Sequence, residues 1–368
     1  MPRLLIVSLG QLGGAVLETM ARDAAFDEIV VATRSVARAE AKLNNARIGA
    51  AIEGRHPVLR AEAFDLNAPD AAARLRALAP DVAFAAPSLL PWWALDRLPE
   101  PHRGHVAAVP FGGFVACHLA PMLRLREAWA ASGLACPWVG ASYPDVVNAV
   151  LAAGGPAPTC GVGNVAEAVP KVRFVAAAAL GVPAQSVQVR LVAQHALEYF
   201  LYRAAPPSEG ETLPPFLLEA RHAGRDVSDL ARTRLFEPCP IPYELDFNLL
   251  TASAARVLLP ALLGEDAAAT HVPAPGGRLG GYPVRVSRRG VALDLPAAWT
   301  PELAEATNRE SLRWDGIAAV EGDGTMVFTE TTARALRALL GRPAERLRPD
   351  DAAAMAEALC GALAVPGR

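Results

Sequence analysis

The sequence predicts an α/β chain: a doubly wound parallel sheet, then a second part of mixed α+β character. Three observations predict it. An apolar run, Leu4 to Val7, leads into a glycine-rich turn (Ser8-Leu9-Gly10-Gln11-Leu12-Gly13-Gly14), an apolar-periodic helix to about Arg22 and a second apolar run, Ile29 to Ala32. Apolar strands then alternate with helical stretches as far as Ser142, the spacing of parallel strands joined by crossover helices. Beyond Ser142 the pattern changes to strands around glycine turns, such as Gly322-Asp323-Gly324, mixed with long helices.

Strand, glycine turn, helix and strand make the opening βαβ unit of a Rossmann-type, dinucleotide-binding sheet. The register is G-x-G-x-x-G with Ser8 in the first place, then Gly10 and Gly13, and with Gln11 and Leu12 between them. Gly10 lets the backbone approach a pyrophosphate, and Gly13 lets the helix pack on the strand. The helix N-terminus offers free N–H groups and the positive end of its dipole to phosphate. A purely structural glycine turn is the alternative. The end of the second strand selects the nucleotide. An acidic residue there holds a ribose 2′-hydroxyl, whereas an arginine accommodates a 2′-phosphate. Here the residues are Thr33, Arg34 and Ser35, then Arg38, with no acid before Glu40. A guanidinium fork suits phosphate oxygens, so the expected cofactor is NADP ahead of NAD. Otherwise Arg34 and Arg38 are solvated surface charges.

A length of 368 residues suggests two domains sharing a cleft, drawn as a nucleotide domain over 1–142 and a catalytic domain over 143–368. A net charge of −3 argues against nucleic acid or an anionic membrane as partner. No uncharged apolar run reaches bilayer-spanning length and the N-terminus lacks a signal-peptide pattern, so a cytoplasmic protein is expected. The five cysteines (Cys117, Cys136, Cys160, Cys239, Cys360) form no C-x-x-C pair and read as reduced thiols. The seven histidines lack ligand spacing, and no metal is expected.

A helix follows Ser35 to about Asn45. The third strand, Val58 to Phe64, ends at Asp65 and Leu66, which either touch an adenine or belong to the turn through Asn67 and Asp70 that caps a helix over 71–78. The fourth, Val82 to Ala85, ends at Ala86, Pro87 and Ser88, small residues that leave room for a ribose and nicotinamide. The segment Leu89 to Gly104, with Pro91-Trp92-Trp93, is an active-site lid or a loop stapled to the surface. A fifth strand is expected at Val106–Val109, a helix at Leu119–Ala131 and a sixth strand at Pro137–Ala141. After Tyr143-Pro144-Asp145 come a short helix, a glycine-flanked strand from Cys160, capping-box spacing at Asn164 and Glu167, and a helix restarting at Pro170 and closing at Gly181. The alternating strand Val187–Val192 has His195 on its inward parity. Residues Pro214 to Glu244 are mixed. Phe247 to Leu263 is an apolar helix, Gly280–Val286 and Gly290–Leu295 are an antiparallel pair, and Pro301–Leu312 is a helix. A hairpin over 317–329 and helices Thr331–Leu340 and Asp350–Leu363 close the chain. The helices over 247–263 and 350–363 either face a homodimer partner or are buried within one chain.

This order resembles, remotely, the lactate/malate dehydrogenases up to about Leu312. The likeness rests on the Pro144 turn, Gly161-Val162-Gly163, the helix end Leu180-Gly181-Val182, the run Val192-Ala193-Gln194-His195 and Gly281-Tyr282-Pro283-Val284. The first unit, ending in Thr33-Arg34-Ser35, looks more like NADP-binding saccharopine-reductase or atypical short-chain reductase domains. The resemblance implies that His195 is the catalytic histidine, acid or base on the reacting oxygen. The residues alone leave a core histidine as the alternative. The family's asparagine before the proline is Tyr143 here, its substrate-clamping arginine falls on Lys171, and its histidine-orienting aspartate falls on Ala168, beside Glu167. Lysine is a point charge and cannot copy a bidentate clamp, so 2-hydroxy-acid specificity is not implied. Tyr143 either donates to a substrate oxygen or packs at the joint. Asn164 touches substrate or caps a helix, Glu167 replaces the missing carboxylate or caps, and Asn248 falls near a substrate-contact position. The expected function is an NADP-dependent oxidoreductase acting on a carbonyl, imine or hydroxyl group of a small molecule. His195 would move the proton, with Lys171 or Arg173 beside an anionic group if the substrate has one. An isomerase, epimerase or lyase with bound NAD(P), and a non-catalytic NADP sensor, are the alternatives.

Overall fold

Strands that are apolar on both faces need cover on both faces, and the early apolar runs of this chain obtain it in one parallel sheet. The computed structural model describes residues 2–95, 97–242 and 245–364. Its first half runs β1 (Arg3–Val7), α1 (Gln11–Ala21), β2 (Glu28–Thr33), α2 (Val36–Ile52), β3 (Val58–Ala63), α3 (Ala71–Leu78), β4 (Val82–Ala85). Two short helices, α4 (Trp92–Leu95) and α5 (His102–Ala107), and the long α6 (Val115–Ser132) lead to β5 (Trp138–Gly140), α7 (Pro144–Ala153) and β6 (Cys160–Gly161). The sheet order is β3-β2-β1-β4-β5-β6, and every neighbouring pair is parallel. The chain winds outward to β3 and returns on the other side of β1. The connections leaving β1 and β4 therefore diverge and open a crevice at their carboxyl ends.

Two expectations are corrected here. The strand expected at Val106–Val109 is instead the end of helix α5 and the turn that follows it. Its apolar run is short, Pro110 follows it, and the next residues, Phe111–Phe114, form a tight 3-10 turn packed on a distant segment. In that turn a Cβ on Gly112 would stand 2.5 Å from the Asp315 carbonyl oxygen, so only glycine admits the approach. The boundary at 142 also moves, because β6, a strand of the parallel sheet, lies at 160–161.

The α+β part begins with α8 (Val165–Leu180), which carries Pro170 inside it and ends on left-handed Gly181. After β7 (Val187–Val192) and α9 (Ala196–Leu201) come β8 (Leu217–His222), β9 (Arg225–Asp226) and α10 (Ser228–Arg234). β7, β8 and β9 form an antiparallel sheet. Tyr243 and Glu244, at the end of the mixed stretch, lie outside the described residues. Helix α11 (Asn248–Ala261) packs on α1. Strands β10 (Ala268–Pro273), β11 (Gly281–Ser287) and β12 (Gly290–Leu293) make a second antiparallel sheet, tied to the end of β7 by a bridge from Ala193 to Gly281. Last come α12 (Pro301–Ser311), β13 (Ile317–Val320), β14 (Met326–Phe328), α13 (Glu330–Leu340), β15 (Arg346–Leu347) and α14 (Ala352–Ala362).

This last segment returns to the first. α14 packs on α6, and one apolar cluster runs from Leu5 and Val7 through Leu119 to Met326, Leu336 and Leu359. Both helices considered as partner faces thus pack within the chain, although α11 keeps Leu249, Leu250 and Val257 exposed. Among the described residues no helix is long and apolar enough to cross a membrane.

Candidate functional site

A cleft of about 1600 Å³ follows the carboxyl ends of β1 and β4. One end is built from the glycine turn. Ser8 takes φ 79°, the left-handed backbone that the first glycine of the pattern normally supplies, at a cost of about 1–2 kcal/mol. Gly13 permits the turn to close, since a Cβ there would stand 2.2 Å from the Ser8 carbonyl oxygen. Above Gly10 nothing in the protein lies within 4 Å of a Cβ position, so the turn presents an open cradle at the start of α1. Gln11 and Leu12 line the same cradle. Ser35 caps α2 through its hydroxyl, which accepts from the Arg38 N–H at 3.4 Å. Arg34 and Arg38 are exposed and make no ion pair among the described residues. Lys42, one turn beyond Arg38, reaches over the turn and donates to the Gly10 carbonyl at 3.0 Å, and burial lowers its pKa. Arg38 and Lys42, four residues apart, share one face of α2, and Arg34, just ahead of the helix, lines the cleft with them.

Thr33, Asp65, Leu66, Ala86, Pro87 and Ser88 line the cleft as well. Asp65 also accepts from the Asn67 N–H at 2.9 Å, so it is both lining residue and turn former. The expected helix cap at Asp70 is absent; its carboxylate pairs instead with Arg74 at 2.7 Å. The Ser88 hydroxyl has no partner among the described residues.

The other end centres on His195. Its Nδ1 lies 3.1 and 3.2 Å from the two carboxylate oxygens of Asp315, which is fully buried and also accepts from the Tyr143 hydroxyl and the Gln194 amide, each at 2.7 Å. Burial by itself would lower the His195 pKa. The Asp315 carboxylate, helped by Asp145 and Glu167, outweighs it and leaves the imidazole raised. Burial would likewise raise Asp315, but the imidazolium and the bonds from His195, Gln194 and Tyr143 hold it low. Behind the histidine, Asp145 accepts the His195 backbone N–H at 3.0 Å and the Asn164 amide. Burial raises Asp145 to about 6. Tyr143 and Asn164 both hold left-handed backbone, φ 50° and 49°. Such strain persists only where the surroundings enforce it, and it gathers at functional sites.

The structure corrects three readings. Lys171 does not face the cleft: it is 2 % exposed and donates to the carbonyls of Leu201 and Glu237, the latter at 2.8 Å. Arg173 lies outside the cleft, near His271, whose pKa is lowered to about 3 by burial first and by Arg173 and Arg190 next. Asn164 and Glu167 form no capping box. Asn164 turns to Asp145, and Glu167 is buried, accepting from Thr251 Oγ at 2.6 Å. Asn248 lines the cleft while its amide donates to the Leu245 carbonyl at 2.8 Å. Asp315, Gln194, Glu198 and His118 escaped sequence reading. Asp315 sits in a turn after α12 and carries no local signature.

No family model matches the chain, and no curated protein matches it. Solved structures do. A lactate dehydrogenase from a Medee basin deep-sea metagenome shares 12 % identity at a TM-score of 0.54, over 85 % of this chain and 98 % of that one. The minor L-lactate dehydrogenase of Enterococcus mundtii shares 14 % at 0.56, over 85 % and 95 %. A malate dehydrogenase from Plasmodium falciparum, solved in complex with NADH, shares 11 % at 0.54, over 91 % and 99 %. The chain therefore has the fold of the lactate and malate dehydrogenases.

Proposed function

We propose that the protein is an NADP-dependent oxidoreductase that transfers hydride to or from a carbon bound to oxygen or nitrogen in a small molecule. The observation that carries the reading is one continuous cleft with an open glycine turn at one end and a histidine oriented by a buried carboxylate at the other. The open cradle over Gly10, beside the N-terminus of α1, fits a pyrophosphate, and Arg34, Arg38 and Lys42 fit a 2′-phosphate. The relative from Plasmodium falciparum, solved with NADH, supports a nicotinamide nucleotide in this fold.

When bound, the nicotinamide accepts or supplies the hydride. The chain does the rest. Asp315 fixes Nδ1 of His195, leaving Nε2 as the nitrogen for the substrate. In reduction the imidazolium gives its Nε2 proton to the reacting oxygen or nitrogen; in oxidation the neutral ring takes one. Tyr143 acts through Asp315, to which its hydroxyl donates. The reading includes assembly of two copies through the exposed face of α11.

Fluorescence titration with NADPH and NADH tests it. Arg34→Asp should weaken NADPH by about tenfold or more, because a charge-assisted contact becomes a repulsion, and should leave NADH nearly unchanged. Equal losses for both would remove Arg34 from the role. Binding of neither nucleotide to the wild type would end the reading.

A further inference from the structure

The end of the cleft around His195 has the wrong charge for an anion. The Lys and Arg side chains that line the cleft stand elsewhere: Arg34, Arg38 and Lys42 after β2, and Arg124 on α6. Lys171, the residue in the clamp position, is turned to Leu201 and Glu237. The cleft beside His195 is lined from α9 by Glu198, which hydrogen-bonds Glu167 on α8, and Glu167 in turn acts on the His195 charge. Two carboxyls in contact and out of water share a proton and keep about one negative charge. Asp145 adds another behind them, whereas the Asp315 charge is taken up by His195.

Two more observations point the same way. The rings of Phe111, Tyr143 and Tyr199 wall this end, with centroids 5.3, 5.3 and 5.0 Å from that of His195. Ring faces attract cations. His118, 5 % exposed, lines the cleft, and neither ring nitrogen has a partner among the described residues. Its pKa falls to about 4, through burial first and the charge of His195 next, so the ring is neutral and offers an acceptor. Negative carboxyls, aromatic rings and a buried, unsatisfied acceptor suit a ligand that is cationic and rich in N–H donors.

We propose that the His195 end of the cleft binds the nitrogen end of a small amine, so that the bond oxidised or reduced is carbon–nitrogen. The proposal rests on the reading above, whose hydride acceptor it uses. In oxidation the ammonium first loses a proton to neutral His195. The C–H bond beside the nitrogen then leaves as hydride to the oxidised nicotinamide, and the nitrogen lone pair closes the C=N bond of an iminium. Glu198 and Glu167 hold the cation before and after.

The test is calorimetric titration of the NADPH-loaded protein with n-butylamine, n-butanol and butyrate. Butylamine should bind more tightly than butyrate by about tenfold or more, the scale of one charge-assisted contact. The isosteric Glu198→Gln should erase that preference, its fold being checked by circular dichroism. Butyrate binding as well as butylamine, no binding of any probe, or a preference that survives Glu198→Gln would each overturn the assignment. NADPH loading is measured first, so loss of the nucleotide reading is seen separately: normal loading without amine preference refutes the amine alone.

Discussion

At His195 burial and charge act in opposition, and Asp315 decides the outcome. Asp315→Asn keeps the burial and removes the largest favourable charge. The imidazole should then fall below its ordinary 6.5, as read by histidine nitrogen NMR; a value that stays raised would show that Asp145 and Glu167 suffice. The stability effect has a defined window. His195 is raised, so its contribution is complete below 6.5 and is lost as pH climbs through the raised folded value. Asp315 is lowered, so its contribution is complete above 3.8 and is lost as pH falls through the lowered folded value. The difference between wild type and variant should be greatest between those limits. At this scale the glycine turn is legible in the sequence because its signal is local, whereas His195 is singled out only by the family resemblance. Lys171 is not legible, because counting back from Gly181 finds the helix but not which way one side chain points. Asp315 and Glu198 are not, because what matters about them is a partner on another element.

Helices and strands follow from the sequence where periodicity runs long, as in α1, α6 and α11. They fail where tertiary packing overrides a short run. Val106 to Val109 is apolar enough for a strand, yet Pro110 and the close approach of Gly112 to Asp315 make it a helix end and a turn against the C-terminal segment. Helix α14 illustrates how much packing contributes. Leu359 is fully buried between α14 and α6, and Leu359→Ala should cost about 2–5 kcal/mol in urea unfolding. Because Glu357 and Cys360 of the same helix line the cleft, NADPH affinity should fall with it. A cost below about 0.5 kcal/mol, the range of a surface change, would mean that α14 is not integral to the core.

For the whole molecule, the parts on either side of the division drawn at 142 share one sheet and one apolar cluster. The parallel sheet needs β6 from beyond that point, and the apolar cluster under β1 and β4 is completed by Met326, Leu336 and Leu359. A fragment of residues 1–142 should therefore lack a cooperative unfolding transition by circular dichroism; a sharp one would restore the two-domain division. Doubly wound topology is legible in the alternation of runs, but the return of the last segment is not, since nothing in a local pattern reports a contact across 200 or more positions. The ion pair of His195 then acquires a meaning in time. Chains emerge from the ribosome N-terminus first, and domains fold in that order. His195 precedes by 120 positions the carboxylate that orients it, Asp315. A chain cut between the two would keep the histidine without the partner that fixes its tautomer, so the pair forms only once the last segment has folded back onto the first.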